Sequence, residues 1–492
     1  MEREVNDRPN LLYIHSDQHN PAVLGCYGDP VVDTPHLDRL AAQGVVLDHL
    51  YCPSPICVPS RMSTLTGRFP YENEVWTNNH SLSSAIPTLA HAMGAAGYRP
   101  AIIGRMHSIG PDQLLGYAER LVGDHSPNHV GGQAVSHGML NGTAGPARVS
   151  LEKSGPGQSA YQVHDEDVAV AAVEYLNQIG RKRQTGDTAE PFSLTVGLML
   201  PHQPFVARRE DYERYRGAVT MPKHPEPFSD AVHPFLRWWR ERCGIVEVSD
   251  DEVLRARTAY WALVSRLDTL IGDILTALHE NDLADNTLIM YSSDHGDQVG
   301  EHGLWWKQTF YEGSVTVPGI LSWPGVLPEG ERSERVVSAL DLSATMLDAL
   351  GAPPLPSSRG RSLLPLLRSE DTVWDDEAFS EMCTDDGWYK RMIRSDEWKL
   401  CYYHGYEPQL FNLREDPDEL HDRAQDPACR DVRKALTSRV LDGWDPEWVA
   451  RQMELKRQEA ALLRTWAEHT EPPDQFRWGL RPEMSYLDEE DR

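Results

Sequence analysis

The sequence predicts an α/β protein: a large, mainly parallel sheet sandwiched by helices, plus a smaller C-terminal antiparallel subdomain. Three observations predict it. Apolar β-rich runs alternate with helix-period segments over most of the chain, which is how a parallel sheet covered by helices reads. Past the segment GAPPLPSSRGRS (351–362) this alternation gives way to shorter strands such as YKRMIRS and WKLCYYHG. The 492 residues, 40% hydrophobic and 25% charged, are enough to bury a large core.

The elements follow in order. NLLYIHSD (10–17) is the first strand. Thr34-Pro35 opens a helix through LDRLAAQ and Gly44 closes it, with cap, first-turn Pro and terminal Gly in the expected sequence. A helix from Ile86 to Ala96 precedes the strand YRPAIIG, and residues 165–178 form a helix before the buried strand FSLTVGLML (192–200). A long amphipathic helix, Asp251 to Glu280, leads into the strand NTLIMYSS (286–293). Residues 111–160, rich in Gly, His, Ser and Pro, read as excursion loops, 351–362 as a linker, and 445–468 as a helical tail of mixed charge. The expected division is 1–375 for the main domain and 376–492 for the C-terminal subdomain with its tail.

Lys and Arg total 47 against 75 Asp and Glu, a net charge of −28, which argues against binding nucleic acid or an anionic membrane. The N-terminus MEREVNDRPNLLYIHSDQ has no apolar run of signal-peptide length, and no stretch approaches about 18 apolar residues. Seven scattered Cys without a CxxC pair fit neither a disulfide framework nor a zinc ribbon, so a reduced, cytoplasmic setting is expected.

Polar clusters follow four of the predicted strands: Asp17-Gln18, Arg105 with His107, His202, and Asp294-His295. The strand carboxyl ends of a parallel sheet share one edge, where α/β proteins place ligands. Asp17, Gln18, Asp294 and His295 offer hard oxygens and one imidazole, a set suited to calcium, magnesium or manganese; the plainer alternative is a pair of helix N-caps. Cys57, in PSPICVPSRMSTLTGR, stands where Pro59 and SRMSTL open a helix, a positive end suited to anions. A lone Cys is otherwise a small buried hydrophobe.

The run Cys57-Val58-Pro59-Ser60-Arg61, followed by Thr66-Gly67-Arg68, resembles the signature of the type I sulfatases of the alkaline-phosphatase-like superfamily. PHLDRLAAQGV, SDHGDQVGEHGLWWKQTFYEGSVTVP and ALDLSATMLDALGAPPLPSSRGRSLLPLL extend the resemblance over most of the chain. It implies that Cys57 is oxidised to formylglycine, by a formylglycine-generating enzyme as partner. One hydroxyl of the hydrated aldehyde would attack a small anionic ester, and deprotonating the other would expel the sulfate or phosphate. The resemblance assigns Asp17, Gln18, residue 57, Asp294 and His295 to one divalent cation, calcium first, with manganese or magnesium as alternatives.

It further implies that Arg61 holds the hydrated aldehyde and that Arg105 and Lys307 bind the transferring oxygens, surface solvation being the plainer reading of the last two. His202 is the expected general acid and His107 the base, and Asn78 matches a polar substrate position. Two departures stand out. Asp17-Gln18 replaces adjacent carboxylates, as in choline sulfatases and phosphonate monoester hydrolases, and Arg105 stands where a Lys is usual. GRMHSIGPDQLLGYAERLVGD resembles the choline sulfatases, yet 124–150 contain no Phe, Trp or Tyr to meet a quaternary ammonium. Glu381, Asp385, Asp386 and Trp388 form either a cation pocket at the substrate or an exposed acidic loop. The expected activity is sulfate ester hydrolysis. The alternatives are a phosphonate monoester or phosphodiester hydrolase on the same site, and a metal- and anion-binding protein without turnover. A homo-oligomer is expected, with the tail beyond about residue 430 packed on a neighbouring subunit.

Overall fold

Asn10–Asp17 is buried at every position, and so are Phe192–Pro201 and Thr287–Ser293. Strands buried on both faces belong in the middle of a sheet covered by helices. In the computed structural model, which describes residues 8–132, 135–185, 190–225, 232–369 and 372–488, they are neighbours. The eight-stranded sheet runs Glu331–Ser338, Val45–Tyr51, Gly319–Ser322, Thr287–Ser293, Asn10–Asp17, Phe192–Pro201, Arg99–Gly104 and Glu119–Leu121. Only Gly319–Ser322 pairs antiparallel to its neighbours. Ile14 therefore lies level with Tyr291 and Val196, and Ile103 level with Val196, so the carboxyl ends of four adjacent parallel strands form one edge.

The helices match the sequence pattern with shifted ends. Asp250–Glu280 is closed at its start by Ser249, whose side chain accepts from Glu252 N–H while Glu252 reaches back to Ser249. The expected helix at 165–178 runs instead from Ala160 to Gln184, because Gln162 accepts from Ser159 N–H at 3.0 Å and closes an earlier start, and a basic last turn, Arg181 to Arg183, carries it on into solvent. The helix expected from Ile86 starts at Leu89, since Pro87 precedes the capping Thr88.

Two expectations need correction, and the course of the tail can be traced. Within the excursion 111–160, Glu119–Leu121 is the sheet's edge strand, paired to Ala101–Ile103; three residues are too short to show a period. The segment 351–362 is docked rather than a free linker: Arg359 N–H donates to Gly67 O at 2.7 Å, and a β-carbon on Gly360 would lie 2.0 Å from Leu340 O. The tail beyond residue 430 makes contacts on its own chain at both ends. Trp444, Val449 and Met453 bury against Trp76 and Cys383, and the chain then returns to the segments 123–128 and 155–158, outside the eight-stranded sheet. There Asn128 N–H donates to Asp474 at 3.0 Å, Trp478 N–H to Asp124 O at 2.8 Å, and Tyr486–Leu487 pairs with Gly157 and Gln158.

The small sheet is an antiparallel meander, Glu377–Cys383, Tyr389–Ser395, Trp398–Tyr403 and Gln409–Asn412. No cysteine among the described residues is paired, and no helix among them is long and apolar enough to cross a membrane.

Removing residues 472–492 takes away Asp474 and Trp478, which hold the 123–128 segment, and Ser485, which holds the start of Ala160–Gln184, but none of the bonds that cap Asp250–Glu280. Amide exchange in 123–132 is expected to rise about tenfold or more, with residues 250–280 unchanged, in a hydrogen-exchange comparison of truncated and full-length protein.

Candidate active site

The carboxyl edge gathers residues far apart in sequence. Asp17 ends its strand and Gln18 follows in left-handed backbone, φ 66°, which turns the chain off the edge. Arg105 follows Arg99–Gly104, His202 follows Phe192–Pro201, and Asp294-His295 follow Thr287–Ser293. Facing them, the helix Cys57–Thr66 is buried along its whole length and starts at Cys57, whose sulfur sits at the helix N-terminus. Asn78 Oδ1 accepts from Val58 N–H at 2.9 Å and so holds that first turn.

Cys57 Sγ lies 3.2 Å from His295 Nε2, 3.0 Å from Lys307 Nζ and 3.7 Å from Asp17 Oδ1. Lys307 Nζ also donates to His202 Nε2 at 2.9 Å, while His202 Nδ1 donates to Gln203 O at 2.5 Å. Burial and the Lys307 ammonium lower the His202 pKa, against the pull of Asp17, so His202 is a neutral imidazole here with Lys307 as the nearest proton donor.

Arg61 Nη2 donates to Asp17 at 3.0 Å and its Nε to Asp294 at 2.8 Å. Arg105 Nε donates to the same Asp17 oxygen at 2.7 Å, and its Nη1 to Asp124 at 3.2 Å. Burial alone would raise the Asp17 carboxyl, but Arg105, His202, Arg61 and Lys307 hold it well below the usual range. Burial likewise raises Asp294, and Arg61 outweighs it. Both stay ionised without contact with solvent.

The donor set fits a cation. Asp17, Cys57, Asp294 and His295 each offer an atom within 4.8 Å of the others. Gln18 adds a fifth: its Nε2 donates to Gln203 and Asp297, while its buried Oε1 has no hydrogen-bond partner. A buried acceptor without a donor costs about 1–3 kcal/mol unless something else satisfies it, and a hard cation beside Asp294 would. Gln18 N–H donates to Asp294 Oδ1 at 3.0 Å, which puts the two residues side by side. Burial lowers the His295 pKa to about 4, leaving its ring nitrogen open to a metal at neutral pH.

His107 and Glu381 differ from expectation. His107 Nδ1 accepts from Arg105 Nη2 at 2.7 Å, and burial with the Arg105 charge holds its pKa well below the histidine range. Its second nitrogen then carries the proton, so in this arrangement His107 is a donor with no lone pair for the base role. Glu381 does not join the cluster. Its carboxylate is fully buried, accepting from Trp76 Nε1 at 2.8 Å and Tyr71 N–H at 3.1 Å, so the expected substrate contact is corrected to a structural one. Asp385 and Asp386 stand on an exposed loop, and Trp388 packs on Phe235 and Tyr406, so no cation pocket forms there.

Sequence reasoning missed Asp124, which is 3% exposed and accepts from both Arg105 and His107 N–H, the latter at 2.9 Å. It follows the strand Glu119–Leu121, so the rule that found the other clusters reaches it once that strand is recognised. It also missed Gln203 and Asp297, which orient Gln18.

Fold and site together define a hydrolase of anionic esters that pairs a cation with a nucleophile at a helix N-terminus. Residues 9–352 match the family described as Sulfatase, and 300–444 the one described as N-sulphoglucosamine sulphohydrolase, C-terminal. Choline-sulfatase of Rhizobium meliloti (strain 1021) is 31% identical over 463 residues, covering 87% of this chain and 86% of that protein. Arylsulfatase K of Gallus gallus is 30% identical, covering 84% and 79%. The phosphonate monoester hydrolase of Agrobacterium radiobacter superposes with a TM-score of 0.71 at 23% identity, covering 91% of this chain and 96% of that one. The chain belongs to the sulfatase family, within the alkaline-phosphatase-like superfamily, and is a sulfuric ester hydrolase.

Divalent-cation affinity measured by titration calorimetry is expected to be level from pH 8 down to about 5. It should fall as the pH nears 4, because the proton His295 takes up there occupies its metal-binding nitrogen. Gln18→Leu should weaken it about ten- to hundredfold at neutral pH.

Proposed function

We propose that the chain cleaves small sulfate monoesters with residue 57 as formylglycine and one calcium ion held by Asp17, Gln18, residue 57, Asp294 and His295. The convergence of Lys307, His202 and His295 on the side chain of residue 57 carries this reading. A thiol so enclosed has no obvious structural task. Cys57 is 1% exposed in the fold, so a modifying enzyme would meet it before the chain closes. Cysteines left unpaired suit a reducing compartment.

When formed and bound to the cation, the hydrated aldehyde supplies a nucleophilic hydroxyl for sulfur and a second hydroxyl whose deprotonation releases sulfate. The other groups act around it. Arg61 keeps Asp17 and Asp294 ionised and fixed. Arg105 and Lys307 meet the non-bridging oxygens, where positive charge favours the transition state. Lys307 and His202, in contact at 2.9 Å, share the delivery of a proton to the leaving alkoxide, and the pair, then one proton short, would take up the proton of the second hydroxyl. His107, held by Arg105 and Asp124, donates to the sulfuryl oxygens.

Charge explains the anion preference. Arg61 and Arg105 pair with Asp17, Asp124 and Asp294, and Lys307 adds a third positive charge against the Cys57 sulfur, so the side chains alone balance and a divalent cation makes the site positive. Gln18 contributes to that balance: a carboxylate there would cancel half of the cation's charge. The same charge suits a phosphonate monoester or phosphodiester, which is the alternative. The choline of the Rhizobium meliloti relative's name is not carried over, because Glu381 is enclosed and makes no cationic pocket.

The decisive comparison is kcat/KM for one aryl leaving group presented as sulfate and as phosphonate monoester, with conversion at 57 checked by peptide mass. Preference for sulfate is expected; preference for the phosphonate would move the chain to the alternative with the same residues in the same roles. Cys57→Ser should lose at least about a thousandfold in kcat while still binding calcium. Unchanged turnover would overturn the formylglycine reading.

A further inference from the structure

Trp306 and Gln308, on either side of Lys307, both have left-handed backbone, φ 61° and 73°. A β-carbon makes that conformation unfavourable, so the turn that aims Lys307 depends on the bonds around it. The main domain supplies three. Trp306 N–H donates to Asp297 at 2.9 Å, Trp306 O accepts from Gln298 N–H at 2.8 Å, and Gln308 N–H donates to Pro55 O at 3.0 Å. The Gln308 carbonyl is held from outside that domain: Lys390, on the second strand of the small sheet, donates to it through Nζ at 2.5 Å.

Lys390 is an unusual residue to find there. It is fully buried, and among the described residues no carboxylate pairs with it. Its Nζ lies 3.5 Å from the centroid of the Phe235 ring and 4.5 Å from that of Phe310. Burial pushes its pKa well below the lysine range. Lys399 on the next strand donates to Phe310 O at 2.7 Å, but it has Glu312 and Glu419 as ion partners, which account for its burial. A buried ammonium without a counter-ion destabilises a fold, and a hydrocarbon side chain would fill the same aromatic cage at less cost. What Lys390 adds is the bond to Gln308.

We infer that Lys390 is a positioning residue for Lys307, through which the small C-terminal sheet sets the placement of the group that contacts residue 57. It touches neither substrate nor cation and acts on the reaction through the peptide that follows Lys307. The inference rests on the role given to Lys307 above.

A double-mutant cycle tests it, with kcat/KM on 4-nitrophenyl sulfate and a thermal melt for each protein. Lys390→Met in the wild-type background should lose about tenfold or more, since a displacement near 1 Å can cost that much. In a Lys307→Ala background the same change should cost less than about threefold, because the group it positions is already gone. Arg391→Met is the structural control. Arg391 is the buried neighbour on the same strand and donates to Val440 O at 2.8 Å, with no bond to the Lys307 turn. It should lower the melting temperature and keep kcat/KM within about threefold at temperatures where the protein is folded. Should Lys390→Met be recovered unfolded, Lys390→Gln, a shorter donor, takes its place in the cycle. Equal fold-losses in the two backgrounds, or a loss no larger than that of Arg391→Met, would overturn the inference. If Lys307→Ala itself leaves activity intact, the role of Lys307 in the proposed function fails first, and the inference with it.

Discussion

The guanidinium of Arg61 lies between two carboxylates on neighbouring strands, bonding Asp17 through Nη2 and Asp294 through Nε, with all three side chains closed to solvent. Two carboxylates this close repel strongly in a medium of low dielectric, and one would protonate without a positive charge between them. Arg61 reaches them because Cys57–Thr66 crosses the carboxyl edge of the sheet and places residue 61 one helical turn past residue 57. The same helix thus delivers the nucleophile's position and the charge that keeps its metal ligands ionised. Breaking such a buried pair typically costs about 3–5 kcal/mol, so the site is part of what holds the sheet edge together.

Around that pair the site is built for exchange of charge rather than for fixed charge. The protein carries −28 overall, and an anionic ester must enter against that field. Local compensation is close to complete: Arg61 and Arg105 share Asp17, Asp294 takes the other arm of Arg61 and Asp124 the other arm of Arg105. A divalent cation then sets the sign of the cavity. This arrangement also explains why an amide at position 18 is compatible with the chemistry, since Gln18 offers an oxygen without adding charge.

The outer parts of the chain brace this edge. The tail carries Asp474 and Trp478 back to the segment that holds Asp124, and the small sheet reaches the turn that holds Lys307 with a buried lysine. Both are long-range hydrogen bonds that end on backbone groups, so they transmit position without needing complementary apolar patterning.

Four adjacent strands of the large sheet, the four clusters at their ends and the Cys57 motif were legible in the sequence, whereas Val45–Tyr51, Gly319–Ser322 and Glu331–Ser338 were not singled out. Period-2 and period-3.6 patterns report burial directly, and chain direction within a parallel sheet places every strand end on one edge. Asp124 was hidden because its strand has three residues, and the docking of 351–362 because it depends on the fit of Gly360 against Leu340 O. The burial of Glu381 beneath Trp76 and the return of the tail onto its own chain were hidden for a related reason: both are pairings across hundreds of residues with no local signature. The sequence by itself determined the fold class, the four strands that carry the site and the residue types at the catalytic edge, because those follow from local periodicity and motif spacing. Only the tertiary structure decided which carboxylates meet which cations, which nitrogen of His107 and His202 is engaged, and which lysine aims another. Those choices turn on distances of a few ångströms between segments whose separation along the chain says nothing about their approach.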